Sequence, residues 1–283
     1  MTPEKVRAAA VLACLVEASA AKPGNVSPGR PFHDTSYEDF LASAVAIGPA
    51  MAAAGDEPLG TTVRRAVEAT RCTTDRNTNL GIVLLLAPLC RAALATREPG
   101  RGLRSEVAAA LGATTVHDAA DVYHAIRLAR PAGLGTAAAQ DVAQPPSVTL
   151  REAMALAADR DSIAREYVTD FAITFELGAP AVRAARRDGL TWTDAAVEAY
   201  LGILAAVPDS HIARKLGRGE AERVSGMASA ARAAGGVRTD AGRAALARFD
   251  AELRDPGNSR NPGTSADLTA AALGVVILEQ GWH

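Results

Sequence analysis

Thr2-Pro3-Glu4-Lys5-Val6-Arg7-Ala8-Ala9-Ala10-Val11-Leu12-Ala13-Cys14-Leu15-Val16-Glu17-Ala18-Ser19-Ala20-Ala21-Lys22-Pro23-Gly24 opens the chain and decides how the remainder is read. Thr2 suits an N-cap, and Pro3 suits the first helical position, where no backbone N–H is needed. Val6, Ala9, Ala10, Ala13, Val16 and Ala20 then recur at the spacing of one helical face. Lys22-Pro23-Gly24 stops the helix, because proline disfavours helix in the residue before it. The same signals predict a second helix from Ser36 to Met51, with Asp39 in capping-box position. Further helices fit 59–72, 80–96, 104–111, 117–128, 151–176, 179–188, 193–206, 218–234, 239–253 and 265–280. No run alternates with the period of a strand, so the fold class is all-α.

Composition agrees. Of 283 residues, 48% are apolar but only 4% aromatic, and alanine supplies much of the apolar share. Alanine loses no side-chain entropy in a helix, whereas strands favour β-branched and aromatic residues. The formal charge of −2 lacks the basic excess of a nucleic-acid or anionic-membrane binder. Cys14, Cys72 and Cys90 are odd in number and have no CxxC spacing, which predicts reduced thiols and no zinc site. Glu4 and Glu17 interrupt the N-terminal apolar stretch, and 82–87 is too short to span a bilayer. A cytoplasmic protein with one domain over 1–283 is expected.

Polar, turn-rich segments at 22–36, 73–79, 208–211 and 255–265 interrupt the helices, and 130–149 is the one candidate linker. Within it, residues 133–138 match a GxGxxA pattern, but a helix and not a strand precedes them, which excludes a dinucleotide fingerprint. His117, Asp121 and His124 share a helical face and read as a solvated surface. No Walker A sequence and no HExxH occurs.

The turns carry the chemistry. Glu17 lies one turn before the end of the first helix, followed by Lys22-Pro23-Gly24-Asn25 and then Arg30, His33 and Asp34. Cations, carboxylates and a titratable ring are gathered there, a mixture suited to phosphate and magnesium. Asn77-Thr78-Asn79-Leu80-Gly81 precedes a very apolar helix, whose free N–H groups would be either capped or offered to phosphate. Asp209 in Pro208-Asp209-Ser210-His211 is placed to cap the helix containing Ile212. Thr264 and Asp267, in Asn261-Pro262-Gly263-Thr264-Ser265-Ala266-Asp267-Leu268, have capping-box spacing.

Taken in order, E-x-S-x-x-K-P-G-N-V, N-T-N-x-G, D-S-H and N-P-G-T-S-A-D-L resemble the triphosphoribosyl-dephospho-coenzyme A synthase family. The likeness runs from about Val11 to Leu278 and includes Asp161-Ser162-Ile163-Ala164-Arg165-Glu166-Tyr167. It implies an all-helical enzyme that joins the ribose C1 of ATP to the 2′-hydroxyl of 3′-dephospho-coenzyme A. Adenine leaves, the triphosphate is kept, and Mg²⁺ assists. Better-studied members read N-T-H-K-G where this chain has Asn79 and Leu80, which marks a divergent branch whose acceptor could be a relative of dephospho-coenzyme A.

Carried onto this sequence, the resemblance implies Asp34 and Asp209 at the metal or its waters. Lys22, Asn25, Arg30, Asn77, Thr78 and Asn79 would meet ATP and its phosphates. Glu17 or Asp267 would be the base for the attacking hydroxyl, Asp209 would belong to the catalytic group, and His211 would protonate adenine. Small-molecule partners are implied, a homodimer is left open, and no nucleic acid or membrane is involved. The alternatives are a related enzyme of one-carbon cofactor metabolism, a nucleotide glycosyl hydrolase, and a non-catalytic nucleotide-binding or assembly protein.

Overall fold

Helix α1 (Pro3–Ser19) starts where Thr2 Oγ1 accepts the Lys5 amide, and Pro3 fills its first position. The computed structural model describes residues 1–95 and 101–282. After α1 come α2 (Tyr37–Ala46), α3 (Gly48–Ala52), α4 (Leu59–Arg71), α5 (Leu80–Leu94), α6 (Leu103–Gly112) and α7 (Val116–Ala129). The middle of the chain holds α8 (Leu150–Ala155), α9 (Ser162–Val168), a π-helical turn (Thr174–Gly178), α10 (Ala179–Arg187) and α11 (Trp192–Ala206). The last part holds α12 (Ser210–Leu216), α13 (Arg218–Ala233), α14 (Asp240–Leu253) and α15 (Gly263–Gln280). Among the described residues no strand forms beyond one isolated bridge between Ser27 and Arg30.

Two helices form the axis of the molecule. α15 and α5 are apolar on nearly every face, the pattern of helices enclosed by others. α15 packs on α1, α5, α10 and α11, and its Ala270, Ala271, Ala272 and Gly274 allow close approach. One continuous core of buried apolar side chains reaches from α1 to α15, so the high alanine content reports helix-on-helix packing.

Pro88 lies inside α5 and removes the N–H that would bond to the Leu84 carbonyl. Tyr167 Oη, fully buried on α9, donates to that carbonyl at 2.7 Å. The tyrosine supplies the missing donor, and α5 continues past its proline.

Two long helices expected from periodicity are broken. The Ser36 to Met51 stretch has the expected capping box of Ser36 and Asp39, but it divides at Ile47, before Gly48-Pro49. The 151–176 stretch becomes α8, a turn, α9 and the π turn. Asp161 caps α9 by accepting the Ile163 and Ala164 amides, and Asp170 and Phe171 take positive φ. Buried Glu166 then accepts the amides of Ile173 and Thr174. Polar side chains thus terminate helices that the apolar pattern alone would continue. The expected 80–96 helix ends at Leu94, and residue 96 lies outside the described residues. Segment 130–149 is no linker, since it lies against α7 and forms part of a cavity wall.

Candidate active site

The N-termini of α5, α9, α12 and α15 surround one cavity of about 280 Å³. Glu17, Asn25, Asn77, Thr78, Asn79, His211 and Asp267 of the expected residues reach its wall, joined by Gly81, Asp161, Arg214 and Asn261. The four sequence motifs, far apart along the chain, therefore meet at one place.

Each motif has its own anchoring. Lys22 Nζ is wholly buried, pairs with Glu17 Oε1 at 2.9 Å, and donates to the carbonyls of Glu17 and Ala20. It does not reach the cavity as a phosphate ligand; it fixes Glu17, which does. Gly24 has φ of +75° and its amide bonds to Asp250 Oδ1 at 2.8 Å, while a Cβ there would lie 2.7 Å from Leu253. Only glycine fits this turn. Asn25 Nδ2 bonds to Tyr200 Oη at 3.1 Å, and Tyr200 bonds in turn to the Pro23 carbonyl.

Arg30 pairs with Asp250 on a separate depression, so it stabilises the turn from outside the cavity. Arg254 also bonds to Asp250 and to the Asn25 carbonyl. Asp250 is thus the hub of this turn, and nothing in its helical sequence context announces it. Asp34 pairs with Arg76 at 3.3 Å and lies off the cavity wall.

Asp209 is buried and saturated. Its Oδ1 accepts the His211 and Ile212 amides, and its Oδ2 accepts the amide and hydroxyl of Ser265. The capping expectation is met, and the same carboxylate ties α12 to α15. With four donors engaged and no place on the wall, it positions the site and is not arranged as a metal ligand.

The α5 entrance divides its work. Asn77 Oδ1 caps the Leu80 amide at 3.2 Å, Thr78 Oγ1 meets Ser43 at 2.6 Å, and the Asn79 side chain turns to Thr70 and Ser43. Asn79 thus lines the cavity with its side chain already held by Thr70 and Ser43. Gly81 follows because of Asp267: a Cβ on Gly81 would lie 2.1 Å from Asp267 Oδ2.

Asp267 departs from its expected capping box. α15 begins at Gly263 without a side-chain cap, and Thr264 Oγ1 accepts from Ser210. The Asp267 carboxylate receives no hydrogen bond from any described residue. Burial, and then repulsion from Glu17, Asp209 and Asp161, hold its pKa well above the usual carboxylate range. It is therefore a carboxyl inclined to keep a proton.

His211 is the reverse. Burial, and then Lys215 and Arg214, bring its pKa down to about 3. Arg214 Nη2 lies 3.3 Å from His211 Nδ1, and since Arg only donates, the neutral ring carries its proton on Nε2. A ring held neutral is poorly suited to the expected role of giving a proton to adenine. Arg214 also pairs with Asp161, which completes a wall that sequence reading did not assign to the site.

His117 and Asp121 stay on the surface, where Asp121 pairs with Arg64. Among the described residues no three His, Cys, Asp or Glu side chains converge to hold a metal. Cys14, Cys72 and Cys90 are free. No helix among these residues is long and apolar enough to cross a membrane.

The family model for ATP:dephospho-CoA triphosphoribosyl transferase matches residues 3–283. The chain belongs to this family. It is a transferase of the triphosphoribosyl-dephospho-CoA synthase kind. A crystal structure from Archaeoglobus fulgidus, provisionally described as a triphosphoribosyl-dephospho-CoA synthase, is similar at 29% identity and a TM-score of 0.65. The match covers 86% of this chain and all of that one. No curated protein matches the sequence. In this transferase, then, the residues on the cavity wall are the ones to which chemistry can be given.

Proposed function

We propose that the chain transfers the triphosphoribosyl group of ATP to the 2′-hydroxyl of a dephospho-CoA-like acceptor. The bond from acceptor O2′ to ribose C1′ forms, the bond from C1′ to adenine breaks, and the hydroxyl proton is balanced by one delivered to adenine. The observation that carries this reading is Asp267: a carboxyl without a hydrogen-bond partner among the described residues, on the cavity wall that Glu17 also lines, its pKa raised by burial. Glu17, fixed by Lys22, takes the proton of the attacking hydroxyl. Asp267 gives its proton to the departing adenine, the role that neutral His211 does not fit. Both carboxyls line the same cavity, so Glu17 would return the proton to Asp267 once adenine has left.

The triphosphate needs donors and positive charge. The amide ends of α5 and α15 face the cavity and suit phosphate oxygens through aligned peptide dipoles. Arg214 adds a guanidinium whose Nε has no partner. Among the described residues no three-ligand cage forms, so the Mg²⁺ implied by the resemblance would keep waters and be held chiefly by substrate phosphates. Asp161, whose carboxylate retains acceptor capacity, would hold the water ligands of such an ion. Mg²⁺, when bound, supplies charge that offsets the triphosphate.

Incubation with ATP, Mg²⁺ and dephospho-CoA should release adenine only when the acceptor is present. Adenine release with water alone as acceptor would replace the transfer reading by glycosyl hydrolysis.

A further inference from the structure

Beyond the carboxylates the same cavity continues into an end of different chemistry. Ile126 of α7, Leu134 in segment 130–149, Ala153 and Met154 of α8, and Leu156 just after it line that part, with Ile163 of α9 lying between it and Asp267. Leu134 and Leu156 are 45% and 53% exposed, among the few large apolar side chains left open on the described surface. Exposed apolar groups gathered at one place mark a binding surface.

The wall is also built to hold its shape. Tyr123 Oη donates to the Gln140 carbonyl at 2.6 Å, and Arg127 Nη1 donates to that of Val142 at 2.5 Å. Asp141 accepts the amides of Ala137 and Ala143 at 2.6 and 2.8 Å. A segment without regular structure is thereby fastened along α7, leaving Leu134 at the cavity edge.

We infer that this apolar end receives the long uncharged arm of the acceptor. Dephospho-CoA is an adenine nucleotide extended by methylene and amide groups. Its reacting hydroxyl belongs with Glu17 and Asp267, so its arm must leave that end of the cavity. The apolar end is continuous with it and offers the matching surface. The acceptor is accordingly selected by its arm as well as by its nucleotide. The inference rests on the proposed transfer to a dephospho-CoA-like molecule.

Calorimetric binding of dephospho-CoA, compared with ADP as a probe that lacks the arm, tests it without turnover. Two variants serve: Leu134→Ser with Leu156→Ser, both already exposed, and Ala153→Trp, which fills the apolar end. The inference expects Kd for dephospho-CoA to rise about tenfold or more in both, with Kd for ADP unchanged. Equal losses for both ligands, or no loss for dephospho-CoA, would overturn it. Adenine release is scored separately. Arm-dependent binding without adenine release would leave this inference standing and remove only the transfer reading.

Discussion

The carboxylate of Asp267 occupies the space beside residue 81 that any side chain there would need, with Oδ2 2.1 Å from the Cβ position of Gly81. Two motifs separated by most of the chain are therefore one spatial unit. The missing side chain of one makes room for the carboxyl of the other. Gly81→Ala should push Asp267 aside and lower kcat on the order of 100-fold, since displacements of about 1 Å in a catalytic group have that effect. Steady-state adenine release measures it, with a melting curve to confirm that the protein folds.

The pair of Lys22 and Glu17 is buried, at 0% and 5% side-chain exposure. Lys22→Met would leave Glu17 buried without its counter-charge and should cost about 3–5 kcal/mol. Urea denaturation checks this. Adding Glu17→Gln should recover part of the stability but none of the activity.

Tyr167→Phe leaves the Leu84 carbonyl without a donor, a loss of about 1–3 kcal/mol for a buried unsatisfied group. Pro88→Ala restores a backbone N–H at the position that bonds to Leu84. In that background Tyr167→Phe should cost less. A double-mutant cycle by denaturation reads the difference, and equal costs in both backgrounds would remove the explanation for the helix-internal proline.

Much of this was legible in the sequence. Helix starts at Thr2 and Ser36 and the cap at Asp209 followed from local residue order, because capping acts over a few residues. The breaks near Ile47 and after Ala155 were not, because apolar spacing runs through them while prolines and side-chain caps end the helices. Which motif residues face inward was equally hidden. Lys22, Arg30 and Asp34 look like ligands in a linear reading, yet their partners Glu17, Asp250 and Arg76 hold them. Asp250, Asp161 and Arg214 acquire meaning only when distant helices meet. The freedom of Asp267 was obscured by its capping-box spacing from Thr264, whose hydroxyl bonds to Ser210 instead.

Stability should respond to pH through two groups in opposite directions. Asp267 has a raised folded pKa, so its contribution is present at low pH and lost as pH rises through that pKa. Asp267→Asn should therefore gain melting temperature over the parent as pH rises, with the gap closing toward pH 3.8. His211 has a folded pKa depressed from 6.5 to about 3, so its contribution is present above 6.5 and lost as pH falls through that window. His211→Asn should flatten the acid side of the melting profile between those values. Thermal scans across pH distinguish both from the parent.

The most direct test follows the label from ATP marked at its γ-phosphate, with Mg²⁺ and dephospho-CoA, in the parent protein and in Asp267→Asn. The account predicts label joined to dephospho-CoA in equal amount to free adenine, and neither product from the folded variant. Label released as inorganic phosphate or pyrophosphate, or full turnover by Asp267→Asn, would contradict it.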